Sequence, residues 1–329
     1  MSRVGVILLA LAIDLLWGDP PNRWHPVVLM GNWLSLGRRR APQQQRFWFG
    51  AGWIVAGLAL FSLPWKLLRP FVTPKGAQSR KAAKSSLFQP SPAPVRGYFL
   101  LSLLFAAILL KPVLAYRNLR GAVGEILAGL SADNLPEARR LLAWHLVSRD
   151  TGQLSAEEVI GATVESLAEN VTDSLVAPLA AYSAGGLPAA WAYRFANTAD
   201  AMWGYRTPEL EQLGKFAARL DDALNWLPAR LVGWMMVLSA WLVGEDAANA
   251  ARTMLAQHNR TVSPNAGWTM SAAAGALGIT LTKRDVYALE GGSAPLTAET
   301  VRRALRLADV AAALSVAAVC AGAYFWHRK

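Results

Sequence analysis

Charge is what this 329-residue chain has least of: only 17% of its residues are Asp, Glu, Lys or Arg, against about 25% in soluble domains. So few charges cannot coat a soluble surface, and a mean hydropathy of +0.25 with fourteen tryptophans points to lipid instead. Cysteine is nearly absent. Cys320 stands alone, so no internal disulfide can form. Histidine occurs only at 25, 145, 258 and 327, which with one cysteine argues against a structural zinc site. There is no G-x4-G-K-[ST] loop, G-x-G-x-x-G, G-x-S-x-G elbow, H-E-x-x-H or paired C-x-x-C. A bound nucleotide would therefore not use a familiar loop. No stretch alternates apolar and polar residues with period two, so strands lack their usual signal.

Acidic residues are short too: 33 basic against 22 acidic gives a net charge of +11. Without aromatic interleaving or a reader motif, that excess does not indicate nucleic acid. Beside apolar runs it faces anionic lipid. Crossing a bilayer takes roughly 17–25 residues, and the uncharged runs 47–65, 174–193, 261–282 and 310–326 are long enough. Runs 97–116 and 226–244 qualify once Lys111 and Arg230 snorkel. Pro178, Gly185, Gly186 and Pro188 interrupt 174–193, which reads equally as a broken or re-entrant element. The N-terminal VGVILLALAIDLLWG imitates a signal peptide, but Asp14 interrupts it and no small-residue cleavage site follows. It reads as a retained first membrane helix. The expected class is all-α: a polytopic integral membrane protein, one membrane-embedded domain over 1–329, with a polar helical insert.

Segment 66–96 carries seven basic residues, five prolines and no acid, the composition of a flexible basic loop. If 47–65 and 98–116 form a hairpin around it, residues 18–46 and 117–173 share a membrane side. Arg38, Arg39, Arg40 and Arg46 then oppose the charged loop, so charge counting leaves orientation open. Residues 117–173 form the polar helical insert, holding nine of the 22 acidic residues against five basic ones. Asn134 and Pro136 predict a helix start and Ser155 with Glu158 a capping box. That second helix continues towards Pro178.

Glu165, Glu169 and Asp173 recur at i, i+4 and i+8 on it, so they project from one side and repel. Solvent, an arginine or a divalent cation must compensate. Next come Asn197 and Asp200 with Tyr205 behind them, then Arg219, Asp221, Asp222, Asn225 and Arg230 in ARLDDALNWLPAR. Oxygen-rich groups of this kind suit Mg²⁺, and arginines suit phosphate or carboxylate. Asp14, Asp19 and His25 sit in a D-x3-G-D-P-x4-H-P string whose Gly and Pro fix a sharp exit from the first helix. A lone histidine there is more often structural than catalytic.

Together these strings resemble the adenosylcobinamide-phosphate synthase family of cobalamin biosynthesis, the CobD/CbiB type. The resemblance runs in order through DLLWGDPPNRWHPVVLMG, LVSRDTGQL, ESLAENVTDSLVAPL, YRFANTADAMWGYRT, AARLDDALNWLPARL and SPNAGWTMSAAAGALG, almost the whole chain. Gln257 and Met270 stand where some members carry acids near the SPN segment. Thr282 and Lys283 replace a glycine pair, and 66–96 resembles an insertion.

The resemblance implies an integral membrane enzyme that joins (R)-1-amino-2-propanol, or its O-2-phosphate, to the free propionate of adenosylcobyric acid, using ATP and Mg²⁺. It also implies the cell inner membrane, an active site facing the cytoplasm, lipid, and other membrane-bound cobalamin-assembly enzymes as partners. On that reading Glu165, Glu169, Asp173 and Asp200 supply metal and ammonium contacts, with Glu169, Asp173 and Asp200 as the metal set. Arg149, Arg219 and Arg230 hold phosphate or propionate, and Asp221 and Asp222 complete the polar wall. Asp14, Asp19, His25, Asn170, Asn197, Tyr205, Asn225 and Asn265 are substrate-binding candidates. Two rivals remain from other classes. A transporter would show an inverted repeat, and none is found. A non-catalytic membrane sensor on the same fold would have less reason to retain the acidic motif residues.

Overall fold

The computed structural model describes residues 3–19, 25–67, 95–284 and 286–326. The 66–96 loop falls almost wholly outside them. Helix accounts for 77% of the structure, with almost no sheet. In chain order the helices are α1 (Arg3–Trp17), α2 (Pro26–Arg40), α3 (Arg46–Ser62), α4 (Val95–Leu110), α5 (Tyr116–Ser131), α6 (Leu135–His145) and α7 (Ala156–Val171). Then follow α8 (Ala177–Gly185), α9 (Leu187–Trp203), α10 (Lys215–Val243), α11 (Ala247–Gln257), α12 (Ala266–Leu277) and, after a hairpin, α13 (Ala298–Trp326). The chain divides into two compact units. One comprises residues 1–114, 181–218 and 320–329, the other 115–180 and 219–319.

In the first unit α2 starts with Pro26, whose missing N–H is harmless in a first turn. His25 caps it, its Nδ1 accepting from the Val27 N–H at 3.3 Å. Arg38, Arg39 and Arg40 fill the last turn, where cations meet the negative end of the helix dipole. Close approach of α2 and α3 depends on Gly37, where a Cβ would overlap the Trp53 indole. Trp33 stacks on Trp53 at 4.5 Å. A Cβ on Gly57 would likewise overlap the Phe195 ring of α9.

In the second unit Ile126, Ala138, Leu142, Val159 and Ala162 lock α5, α6 and α7 together. The expected caps are present. Asn134 Oδ1 accepts from the Glu137 N–H at 3.2 Å, and Ser155 and Glu158 form a reciprocal capping box. α7 runs into one π-helical turn, Thr172–Val176, before α8. α12 packs on α11, then β1 (Thr280–Lys283) pairs antiparallel with β2 (Tyr287–Glu290). Gln257 ties that hairpin down, accepting from the Glu290 N–H at 2.8 Å and donating to its carbonyl at 3.1 Å.

Among the described residues, 46–66, α10 and α13 are long and apolar enough to cross a membrane, and 100–113 with 116–131 makes a fourth if counted as one broken span. The protein is an all-α polytopic membrane protein. Two readings of the sequence are corrected. Run 261–282 is not a span: α12 has 12 residues, about 18 Å of helix against a core of roughly 30 Å, and a hairpin follows it. α1, with 15 residues, is also too short to cross straight. Of the two readings open for run 174–193, the broken element holds: it is divided between α8 and α9 at Gly186, whose φ of +72° breaks the helix. The hairpin escaped notice because four-residue strands are too short to show a period.

Gly57→Val should lower the thermal unfolding midpoint in detergent, since overpacking costs ~1–3 kcal/mol. Gly121→Ala on α5, where a Cβ meets nothing within 4 Å, should leave it unchanged or raise it, as alanine is the better helix former. Equal midpoints for wild type and Gly57→Val would contradict the packing described.

Candidate functional site

The acidic stripe runs from α7, which carries Glu165 and Glu169, into the π turn, which carries Asp173. A π turn inserts an extra residue into the helical period, so residues beyond Val171 leave the α-helical register. The Ser174 carbonyl accepts from the Ala115 N–H at 2.9 Å. The stripe divides between Glu165 and Glu169, both upstream of that turn. Glu169 and Asp173 line a cavity of about 30 Å³ together with Thr172, Asp221, Asn225, Ser263, Asn265 and Thr269, while Glu165 is absent from that wall.

Three elements of the second unit build the cavity: the end of α7 with the π turn, the first half of α10, and the start of α12. Asp221 and Asn225, one turn apart, are both buried, and Asn225 Nδ2 donates to Asp221 Oδ2 at 2.9 Å. Pro228 removes the helical hydrogen bond that Leu224's carbonyl would accept, at the level of the cavity floor. Asn265 closes the far side, its Nδ2 donating to the Asp222 carbonyl at 2.8 Å. Arg230 donates to the Trp226 carbonyl at 2.6 Å and lies over the Trp226 and Trp268 rings at 4.2 and 4.8 Å. Its guanidinium thus braces the wall beside Asn265.

Carboxylates, hydroxyls and amides make up the lining apart from Ala229 and Ala266. Among the described residues no three His, Cys, Asp or Glu side chains gather closely enough to hold a metal by themselves. Glu169, Asp173 and Asp221 nevertheless face one cavity whose volume admits an ion or a water or two. The Thr172 hydroxyl is buried there without a hydrogen-bond partner. Carboxylates with a spare hydroxyl fit a hard divalent cation that keeps some of its water. Burial pushes the Glu169 carboxyl above its ordinary range, Lys283 opposes that, and Asp221 adds to it.

Glu165 belongs to a neighbouring cluster. It is 6% exposed, and its Oε1 has no hydrogen-bond partner. Burial raises its pKa from 4.5 to about 7, against the Tyr287 hydroxyl bonded to it and the nearby charges of Arg149 and Lys283. The structure places Arg149 near Glu165, and Lys283 and Tyr287, on the hairpin, were missed as neighbours of the stripe. Arg219 is exposed and Asn170 half-buried, donating to the Ser166 carbonyl at 2.8 Å.

The first unit holds the remaining candidates. Asn197 Oδ1 accepts from Arg194 at 3.3 Å, and Asp200 and Tyr205 lie near the end of the same helix and just beyond it. Asp200 therefore lies in a different unit from Glu169 and Asp173, and Asp221 is the third carboxylate at their cavity. Asp14 and Asp19 both pair with Lys111, Asp14 at 3.4 Å, and His25 Nε2 stands 3.6 Å from Asp19. Lys111 is 4% exposed. It is a buried counter-ion rather than a snorkelling one, and its spacing from Asp14 in sequence gave no hint of it.

Glu165 makes stability depend on pH. Its folded pKa lies above the unfolded value, so the folded state holds the extra proton and loses stability as pH rises from about 4.5 to about 7. The loss is on the order of 3 kcal/mol. Glu165→Gln should flatten the unfolding midpoint across that window and be the more stable form at pH 8. Parallel midpoint profiles for the two proteins would contradict the burial.

The family model described as "CobD/Cbib protein" matches residues 7–317. "Probable cobalamin biosynthesis protein CobD" of Methanothermobacter thermautotrophicus is 38% identical over 315 residues, covering 94% of each chain. "Cobalamin biosynthesis protein CobD" of Dehalococcoides mccartyi is 36% identical over 319 residues, 96% of each. The protein of the same name in Brucella suis is 33% identical, over 94% of this chain and 90% of its own. No solved structure matches. Nearly full-length agreement with relatives above 30% identity settles the lineage: this chain belongs to the CobD/CbiB family of cobalamin biosynthesis.

Proposed function

We propose that this protein is an ATP-dependent amide ligase, an adenosylcobinamide-phosphate synthase. It would join (R)-1-amino-2-propanol, or its O-2-phosphate, to the free propionate of adenosylcobyric acid. The observation that carries this reading is the oxygen-lined cavity of Glu169, Asp173 and Asp221, next to the protonatable Glu165. A carboxylate is a poor acyl donor because oxide would have to leave. Phosphorylation by ATP converts that oxide into phosphate, and the amine then displaces it.

Such chemistry needs charge screening at the phosphates and an acceptor for the ammonium proton. Mg²⁺ held by Glu169, Asp173 and Asp221 would supply the screening. The cavity has room for an ion and its waters, so nucleotide and corrinoid lie outside it and present only phosphate or carboxylate oxygens to its mouth. Glu165, half-ionised near neutral pH, is suited to take the amine's proton, and Arg149 beside it to hold an anion. ATP is cytoplasmic, so the insert 117–173 faces the cytoplasm in the inner membrane, where other membrane-bound cobalamin-assembly enzymes can deliver the corrinoid.

The purified chain in detergent, given adenosylcobyric acid, Mg·ATP and aminopropanol or its phosphate, should form the amide. Propionate labelled with ¹⁸O should pass one labelled oxygen to the released phosphate. Amide forming equally well without ATP, or phosphate free of label, would contradict the activation step.

Glu169→Gln and Asp173→Asn should each cut turnover about tenfold to a hundredfold, the scale of a lost charge-assisted contact. Glu137→Gln, an exposed partner of Arg140, should leave turnover unchanged. Full activity in both cavity variants would move the site elsewhere.

A further inference from the structure

The first unit carries a second cavity, unrelated to the acidic one. It is an open groove of about 420 Å³ between α2 and α3, lined by Leu29, Asn32, Trp33 and Leu36 on one side and Leu60 and Phe61 on the other. That volume lies in the range of small-molecule sites. Leu29 and Leu60 are 62% and 50% exposed, although their surroundings are apolar. Residues 46–66, α3 with the four residues that follow it, are long and apolar enough to cross a membrane, so the groove runs alongside a candidate span.

What distinguishes this groove from an ordinary lipid-facing surface is its charged end. Leu29, Trp33, Leu36 and Arg40 recur at i, i+4, i+7 and i+11, so Arg40 continues the groove's stripe one turn beyond Leu36. Four arginines gather at that end of the α2–α3 pair: Arg38, Arg39 and Arg40 in the last turn of α2, and Arg46 as the first residue of α3. Among the described residues, Glu209 is the acid that forms an ion pair with them. Glu209 takes a bidentate pair from Arg38 at 2.8 and 2.6 Å and also feels the charge of Arg46. Arg39 and Arg40 are exposed and have no hydrogen-bond or ion-pair partner among the described residues. The Arg46 Nε is buried without an acceptor. Trp48, 73% exposed in the first turn of α3, marks the same level as a membrane–water boundary.

We infer that this groove is a binding site for an anionic phospholipid, with an acyl chain along Leu36, Trp33 and Leu29 towards Leu60 and Phe61, and the phosphate against Arg39, Arg40 and Arg46. A neutral lipid would leave the arginines uncompensated. A free phosphate would leave the groove empty. Only a molecule that joins a chain to an anion answers both halves, and guanidinium groups match its phosphate geometrically. The site does not depend on the proposed reaction.

The test uses the full chain in detergent, with phosphatidylglycerol or phosphatidylcholine added at equal concentration and bound lipid counted by native mass spectrometry. Wild type should retain phosphatidylglycerol strongly over phosphatidylcholine. Arg39→Gln with Arg40→Gln should weaken phosphatidylglycerol about 25-fold, at roughly fivefold per arginine, while lysine at both positions restores most of it. Leu36→Trp, which fills the groove and leaves the charges intact, should also weaken it several-fold. Glycerol phosphate, the headgroup without chains, should not displace the lipid. Photoactivatable phosphatidylglycerol on the unmodified protein should label α2 and the 60–61 region of α3. Equal retention of both lipids, unchanged binding in either variant, displacement by glycerol phosphate, or labelling elsewhere would each overturn the site.

Discussion

Carboxylates that share a small cavity repel one another, and the second unit is built around that repulsion. Glu169, Asp173 and Asp221 meet at a space of about 30 Å³, and Lys283 is the cation that reaches Glu169. Like charges this close are tolerated when a counter-ion arrives or a proton is retained. The fold keeps both routes open: the cavity has room for a cation, and Glu165 and Glu169 both hold protons more tightly than ordinary glutamates. The two routes occupy separate places along α7 and the turn that follows it. Glu165, in the middle of α7, meets Tyr287, while Glu169 near the end of α7 and Asp173 in the turn Thr172–Val176 line the cavity.

The two units handle buried charge differently. In the first, Lys111 neutralises Asp14 and Asp19 directly, and the N-terminal string is closed by internal pairing. In the second, Glu169, Asp173 and Asp221 meet at one cavity, and Arg230 braces Asn265 between two indoles. An arginine held by two rings and a backbone carbonyl is better placed to fix a wall than to chase a phosphate. That favours Arg149 and Lys283, near the mouth of the Glu165 cluster, as the anion contacts of the proposed reaction.

Much of this was legible in the sequence where the signal is local. Asn134, Ser155 and Glu158 announce their caps because capping is decided within four residues. Asp221 and Asn225 announce their contact because one helical turn separates them. The π turn left no such mark, and the i, i+4, i+8 spacing of the stripe does not say which neighbours each carboxylate meets. Lys111 sits about ninety residues from its acids, and Lys283 and Tyr287 reach α7 only through a hairpin whose strands are four residues each. Run 261–282 read as a span because small residues raise hydropathy whether they face lipid or pack against α11. Gln257 and Lys283, departures from the family pattern, are both in use here. One ties the hairpin and the other screens the stripe.

The central claim is that the cavity of Glu169, Asp173 and Asp221 takes a divalent cation. Mn²⁺, a paramagnetic substitute for Mg²⁺, reports on it directly by electron paramagnetic resonance of the purified full-length protein. The account predicts one Mn²⁺ per chain, displaced by excess Mg²⁺ and lost when Glu169→Gln and Asp173→Asn are combined, with Glu137→Gln binding normally. One Mn²⁺ per chain held equally well by the double variant would contradict it, as would no bound ion in the wild type with or without ATP.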